Sequence, residues 1–317
     1  MVVQKFFEYC ARSGPESCAM WAGDFSKDTE KRLEDLVRKY EKIVDDPVAD
    51  PELSMAAAIA QIGIRRTMNG LAYSPLATWS MHAKGLAKLE KVPSPWMKQL
   101  RNETERDAET LIDANDPDVP PLVAELLAEF WHGMIVASDN TIRTSYQKYA
   151  AVQWREMHEI APWRADFEAT GHGGIFNWPI ISQWAFGDKH AIASNVAANP
   201  ILFASNLIDG VTGLTGARRM NRAFKDSGLL IVDGEGHGSW AAPSLCAAKA
   251  VRHYFQTGEL PDTSKHCMPA KRPFLGVDGP NTEKIQWEEL TKEEQVLFTA
   301  VDQKCPTGVH CPRVPRL

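Results

Sequence analysis

Apolar positions recur at helical spacing through the first half of the chain and as continuous runs in its last third. The clearest repeat is KDTEKRLEDLVRKYEKIV at 27–44, where Leu33, Leu36, Val37, Tyr40, Ile43 and Val44 fall on one stripe. That spacing predicts an amphipathic helix, with Ser26 placed to cap its start and Pro47 and Pro51 to end it. The same pattern predicts helices over about Val3 to Ala11, 52–69 (stopped by Gly70), Trp79 to Leu89, Trp96 to Asp113, Leu122 to Ala137 and Tyr146 to Ile160. No strand is expected between them, so 1–170 lacks the βαβα alternation of a doubly wound core. Gly171-His172-Gly173-Gly174 reads as a flexible joint.

After residue 190 the period changes. A short apolar run, Ile201–Ser205, leads to Asp209-Gly210, then to a helix of about Gly216 to Asp226. A second apolar run, Leu229–Val232, leads to Gly236-His237-Gly238. Continuous apolar runs of this length are typical of parallel strands covered on both faces. Two such strands alone would leave two unpaired edges, which is an aggregation liability. The pattern therefore calls for a longer polypeptide, or for a partner that completes the sheet. A Pro- and Lys-rich tail follows Cys267, with one charged helix expected over Thr291 to Val301.

Composition narrows the function classes. The net charge is -6 and the pI about 5.9, with Lys and Arg scattered among acids, which argues against a nucleic-acid partner. No window reaches the ~20 consecutive apolar residues of a membrane helix. The opening MVVQKFFEYCARSG has no secretion-signal pattern. His132 and His172 sit beside an aromatic or glycine and His158 between Met157 and Glu159, none of them next to another His, so neither a metal nor another cofactor is expected. The six cysteines fall in local pairs, Cys10/Cys18, Cys246/Cys267 and Cys305/Cys311. They are either disulfides, which would point to an oxidising compartment, or unrelated buried thiols; no C-x-x-C spacing offers a metal site instead. The cysteines thus speak for secretion while the N-terminus does not, and localisation stays open.

The chemistry expected of the last third rests on Asp209 and His237. An acid after one strand and a His after the next match the order acid-then-His of a Ser-His-Asp hydrolase on an α/β sheet. There the His takes the proton of a serine hydroxyl, and the carboxylate fixes the imidazole tautomer. The alternatives are a loop-capping Asp and an ordinary turn His. The front half of such a site is absent: no G-x-S-x-G occurs anywhere in the chain. Ser239, two residues past His237, lies on the His loop with no elbow.

The stretch NPILFASNLIDGVTGLTGARRM, with LLIVDGEGHGSWAAPSLCAAKAVRHYFQTGELPDTSKHC, resembles the C-terminal domain of secreted tripeptidyl-aminopeptidase-like proteins. These belong to the prolyl-aminopeptidase-type α/β-hydrolases (peptidase S33-like). The family pattern runs NPILF-x-x-N-x-x-D-P-V-T-P, then G-x-GH-x-S, PS-x-C, G-x-LP and a final Cys. The resemblance implies that Asp209 is the triad acid and His237 the triad base, with Cys246 and Cys267 paired about the last helix. Upstream, FFEYCARSGPESCAMW resembles the segment that opens the family's cap, with Cys10/Cys18 as its disulfide. Gly210 and Gly213 stand where the family has proline, which implies a looser acid loop. Ala137 and Ile175 stand where it has a further cysteine pair.

The expected architecture is therefore α/β: a partial α/β-hydrolase fold with a large helical cap plus the last strand–helix–strand–helix of the core. Residues 1–190 would be mostly helical cap, 191–270 the core segment and 271–317 a tail. The implied reaction is hydrolysis of a peptide, amide or ester, the substrate being a small peptide or a small metabolite, as in fungal biosynthetic pathways. The nucleophile would lie outside this sequence. The alternative is a non-catalytic truncated relative or a binding protein. Trp163, Trp178 and Trp184 suit either cap–core packing or a substrate-facing lining. Glu125, Glu129 and Asp139 are cap carboxylates able in principle to hold a free amine, and none is assigned.

Overall fold

The computed structural model describes residues 1–90, 146–163 and 197–302. The chain divides into two compact units. One is formed by the described residues of Met1–Lys39, Gly70–Glu90 and Lys189–Leu317, the other by those of Tyr40–Asn69 and Lys91–Asp188. The first unit thus interleaves N-terminal helices with the strands of the last third.

Its sheet, among the described residues, is two parallel strands, β1 (Leu202–Ile208) and β2 (Gly228–Glu235). Both extend past the apolar runs that predict them, through Asn206 and Glu235, which are buried polar residues. Glu235 is paired with Arg272, and Asn206 donates through Nδ2 to the neighbouring loop while its Oδ1 is buried without a partner among the described residues. The register pairs Leu202 with Gly228 and Asn206 with Val232, then Ile208 with Glu235. One extra residue therefore sits on β2 at its carboxyl end, a bulge of the kind that re-aims a following loop. Gly236 N–H still donates to Ile208 O at 2.9 Å, so the two strand ends stay side by side.

The outer edge of β2 is not bare. Cys267 bridges Val232 in parallel, accepting from Asp233 N–H at 2.8 Å and donating to Ile231 O at 2.9 Å. The expectation of two unpaired edges is corrected at this one, because the Cys246–Cys267 disulfide ties that segment to the helix beside it. The helix connecting the strands (Leu214–Ala223) packs on both, with Phe224 just past its end against Phe203, 6.0 Å between ring centroids. The helix Leu245–Thr257 is capped by Ser244, whose hydroxyl accepts from Ala247 N–H, and ends in left-handed Gly258. Its Ala247 buries with Leu230, Val232, Ala242 and Cys267. The C-terminal helix Lys292–Asp302 buries Phe298 against Leu245 and Ala270.

Two N-terminal helices of this unit bear on the site. The first, Val2–Ser17, runs beyond the expected Ala11, across a kink where Gly14 takes φ 76° ahead of Pro15, and the Cys10–Cys18 disulfide spans the kink. The other is Pro75–Leu89, with Pro75 in its first turn. Phe6 packs edge-on to Trp79 and Phe274, with centroids 5.4 and 5.6 Å away. A buried polar network joins the same elements. Glu235 Oε1 accepts from Tyr9 Oη at 2.7 Å and from Arg272 Nη1 at 2.8 Å, and Arg272 Nε donates to Pro280 O. Burial, then the adjoining Glu235 carboxylate, push the Tyr9 phenol well above its ordinary range.

The amphipathic helix Ser26–Val44 starts one residue earlier than expected, and Leu33, Leu36 and Tyr40 of its stripe are buried. Ser26 is its first residue, and the side chain that accepts an amide at that end is Asp28, from Phe25 N–H at 3.3 Å. In the second unit, Pro51–Gly70 buries Ala57, Ala60, Ile64 and Met68 on one stripe. Tyr146–Ile160 carries Trp154, on which His158 stacks at 4.5 Å.

Candidate active site at the carboxyl ends of the parallel strands

Asp209 is the residue immediately after β1, and His237 is two residues after β2. Because the strands are parallel and adjacent, both side chains emerge at one end of the sheet, where open α/β sheets keep their sites. His237 Nδ1 lies 3.4 Å from Asp209 Oδ2. The Asp209 side chain is 1% exposed and that of His237 is 39% exposed, so an enclosed carboxylate backs an accessible ring.

Asp209 is fixed by its own loop. Oδ1 accepts from Val211 N–H and Thr212 N–H, both at 2.8 Å. Oδ2 accepts from the Thr212 hydroxyl and from Gly238 N–H, both at 2.9 Å. Burial pushes this carboxyl up, but the amides of Gly238, Val211 and Thr212 with the Thr212 hydroxyl outweigh it and hold Asp209 below the usual carboxylate value. The loop expected to be loose, with Gly210 and Gly213 in place of prolines, is instead tied down by this carboxylate. A Cβ at Gly210 would lie 3.0 Å from Ala72 Cβ and 3.1 Å from Val2 Cγ2, so packing against two other segments also confines it.

The His237 loop is held from three sides. Asn206 Nδ2 donates to Gly236 O at 2.9 Å and to Gly238 O at 2.7 Å. His237 N–H donates to Tyr73 O at 2.9 Å, and the Tyr73 ring stands edge-on to the imidazole, 5.6 Å away and at 83°. Gly236 takes φ 109°, and a Cβ there would run into Pro75 and Ala241. Gly is required by both counts.

Chemically the pair can do one thing well. Asp209 is an ionised acceptor set beside Nδ1, so it favours the tautomer with its proton on Nδ1. That leaves the Nε2 lone pair free to take a proton from a hydroxyl or water brought to the exposed face. Among the described residues no group of three or more His, Cys, Asp or Glu side chains gathers to hold a metal ion, and no helix is long and apolar enough to cross a membrane.

The other sequence candidates fall elsewhere. Cys10–Cys18 and Cys246–Cys267 are bonded. Ser239 opens a short 3-10 turn, Ser239–Ala241, beside the His loop. Trp163 is half-buried. Cys305, Cys311, Glu125, Glu129, Asp139, Trp178, Trp184, His132 and His172 lie outside the described residues. Tyr73, Asn206 and Thr212 were not singled out from sequence. Asn206 and Thr212 fall on fixed positions of the pattern that carries the resemblance, and Thr212 has a local signal too, an Asp followed three residues later by Thr in a Gly-bearing turn; Tyr73 has neither.

No curated protein and no solved structure matches the chain. Residues 176–267 match the family model described as TAP-like protein, one of the α/β-hydrolase (abhydrolase) families. That match supports an α/β-hydrolase family for the stretch carrying both Asp209 and His237, and it spans less than half of the chain.

Proposed function

We propose that Asp209 and His237 are the acid and base of a serine-hydrolase site that transfers an acyl group from a peptide, amide or ester to water. The observation that carries this reading is the pairing of a carboxylate and an imidazole, 3.4 Å apart, at the ends of two adjacent parallel strands. His237 would take the proton of the attacking serine through Nε2 and return it to the leaving group. Asp209 would stabilise the imidazolium formed between those steps. The family resemblance favours a small peptide with a free N-terminus or a small-molecule ester or amide as substrate. The two disulfides favour an oxidising compartment.

The serine of this reaction is not carried by a G-x-S-x-G in the 317 residues, so the nucleophile would come from polypeptide outside them. The test is hydrolysis of p-nitrophenyl esters and tripeptide anilides by the protein isolated from its natural source, set against its His237→Ala variant. Loss of about 10³-fold or more in kcat is expected. Turnover that survives in His237→Ala rejects the base assignment.

A second reading is favoured by the same missing motif: a non-catalytic binding protein that keeps the hydrolase scaffold. It predicts no turnover by the natural protein, together with saturable binding of the same esters or peptides.

A further inference from the structure

We propose that the Thr212 hydroxyl is the link through which Asp209 orients His237, making Thr212 a positioning residue of the site; this rests on the acyl-transfer reading above. Thr212 Oγ1 lies 2.9 Å from Asp209 Oδ2 and 3.2 Å from His237 Nδ1. The direct contact from His237 Nδ1 to Asp209 Oδ2 is longer, at 3.4 Å. Oδ2 is meanwhile engaged by two good donors, the Thr212 hydroxyl and Gly238 N–H. A carboxylate has about two acceptor positions per oxygen. The imidazole therefore finds its better partner in the hydroxyl.

The proton count then fixes direction. Thr212 has one hydroxyl proton, and the ionised carboxylate can only accept, so that proton points to Asp209. Toward the ring the hydroxyl can only accept, which places a proton on Nδ1 and leaves Nε2 as the base. The hydroxyl cannot wander, because Thr212 N–H is held by the other oxygen of the same carboxylate at 2.8 Å. Asp209 thus grips Thr212 twice, and Thr212 presents one lone pair to His237. Thr212 itself is exposed, and nothing in the core depends on its hydroxyl.

The test is the tautomer of His237 in the full chain labelled with nitrogen-15 histidine. Its signal is assigned among nine histidines by difference against His237→Gln. At a pH where the ring is neutral, wild type is expected to show one tautomer, with the proton on Nδ1. Thr212→Val keeps the side-chain shape and removes the lone pair, and is expected to give a mixture of tautomers. Thr212→Ser, which restores the hydroxyl, is expected to restore the single tautomer. A wild-type ring protonated on Nε2 overturns the proposal without any variant. A Thr212→Val ring that keeps the wild-type tautomer overturns it too, and shows that Asp209 suffices alone. This readout needs no turnover, so failure of the hydrolase reading and failure of the Thr212 link are told apart.

Discussion

Tyr73 and His237 are joined twice: the Tyr73 carbonyl accepts the His237 amide at 2.9 Å, and the two rings meet edge-on at 5.6 Å. Tyr73 lies in the turn just before helix Pro75–Leu89, far away in sequence from the strand that delivers the His. The backbone bond survives any substitution at Tyr73, whereas the ring contact does not. Tyr73→Phe is expected to behave as wild type. Tyr73→Ala should lose about 0.5–1.5 kcal/mol of stability in urea titration and broaden the His237 ring signals in NMR spectra.

Asn206 is fully buried, and its amide group holds the carbonyls on either side of His237. Asn206→Leu removes both donors, leaving the carbonyls of buried Gly236 and half-buried Gly238 without them. A cost on the order of 2–4 kcal/mol is expected, read from denaturant unfolding. Catalytic assays of the same variant should fall with it, since the loop that aims the imidazole is released.

The Asp209 carboxyl yields a pH prediction. Its folded pKa lies below the ordinary 3.8, so folding favours its ionised form. The resulting stability is fully present above about that ordinary value, and it is lost as pH falls further, toward the depressed folded pKa. Asp209→Asn places an amide donor among N–H and O–H donors and should be destabilised at neutral pH. Measured by urea unfolding across pH, the gap between wild type and Asp209→Asn should be constant from pH 7 to 5 and shrink below pH 4.

The two glycines of the acid loop should respond oppositely. Gly210→Ala pushes a methyl against Ala72 and Val2, both buried, and is expected to cost about 1–3 kcal/mol. Gly213 has φ -58°, and the nearest atom to a Cβ there is 3.8 Å away. Gly213→Pro is therefore expected to be neutral or to stabilise by about 0.4–1 kcal/mol. Thermal unfolding of the two variants side by side checks this.

What was legible in the sequence was local. The apolar runs at 201–205 and 229–232 do mark strands, but coverage on both faces is approached only by the second: Leu230, Ile231 and Val232 are buried, whereas Ile201, Leu202 and Phe203 are half-buried and Ala204 is exposed. Each run is followed by its Gly-flanked polar residue. Asp209 and His237 could be named for that reason. Tyr73 and the Glu235–Arg272 pair could not, and Asn206 stood out only as the fixed Asn of the pattern that carries the resemblance. Asn206 continues β1 as a polar residue because its partners lie on the neighbouring loop, some thirty positions on. Arg272 reads as one more cation of a basic tail, yet it is 3% exposed and neutralises a carboxylate at the end of β2. The first helix runs past Ala11 because Gly14 absorbs a kink ahead of Pro15.

The pairing of Asp209 with His237 as an acyl-transfer site is tested most directly by labelling the protein from its natural source with a fluorophosphonate probe. The site of modification is then located by mass spectrometry in wild type and in His237→Ala. The account predicts one labelled serine, outside residues 1–317, with labelling abolished or slowed by orders of magnitude in His237→Ala. A labelled serine within residues 1–317, or labelling that is indifferent to His237, would contradict it.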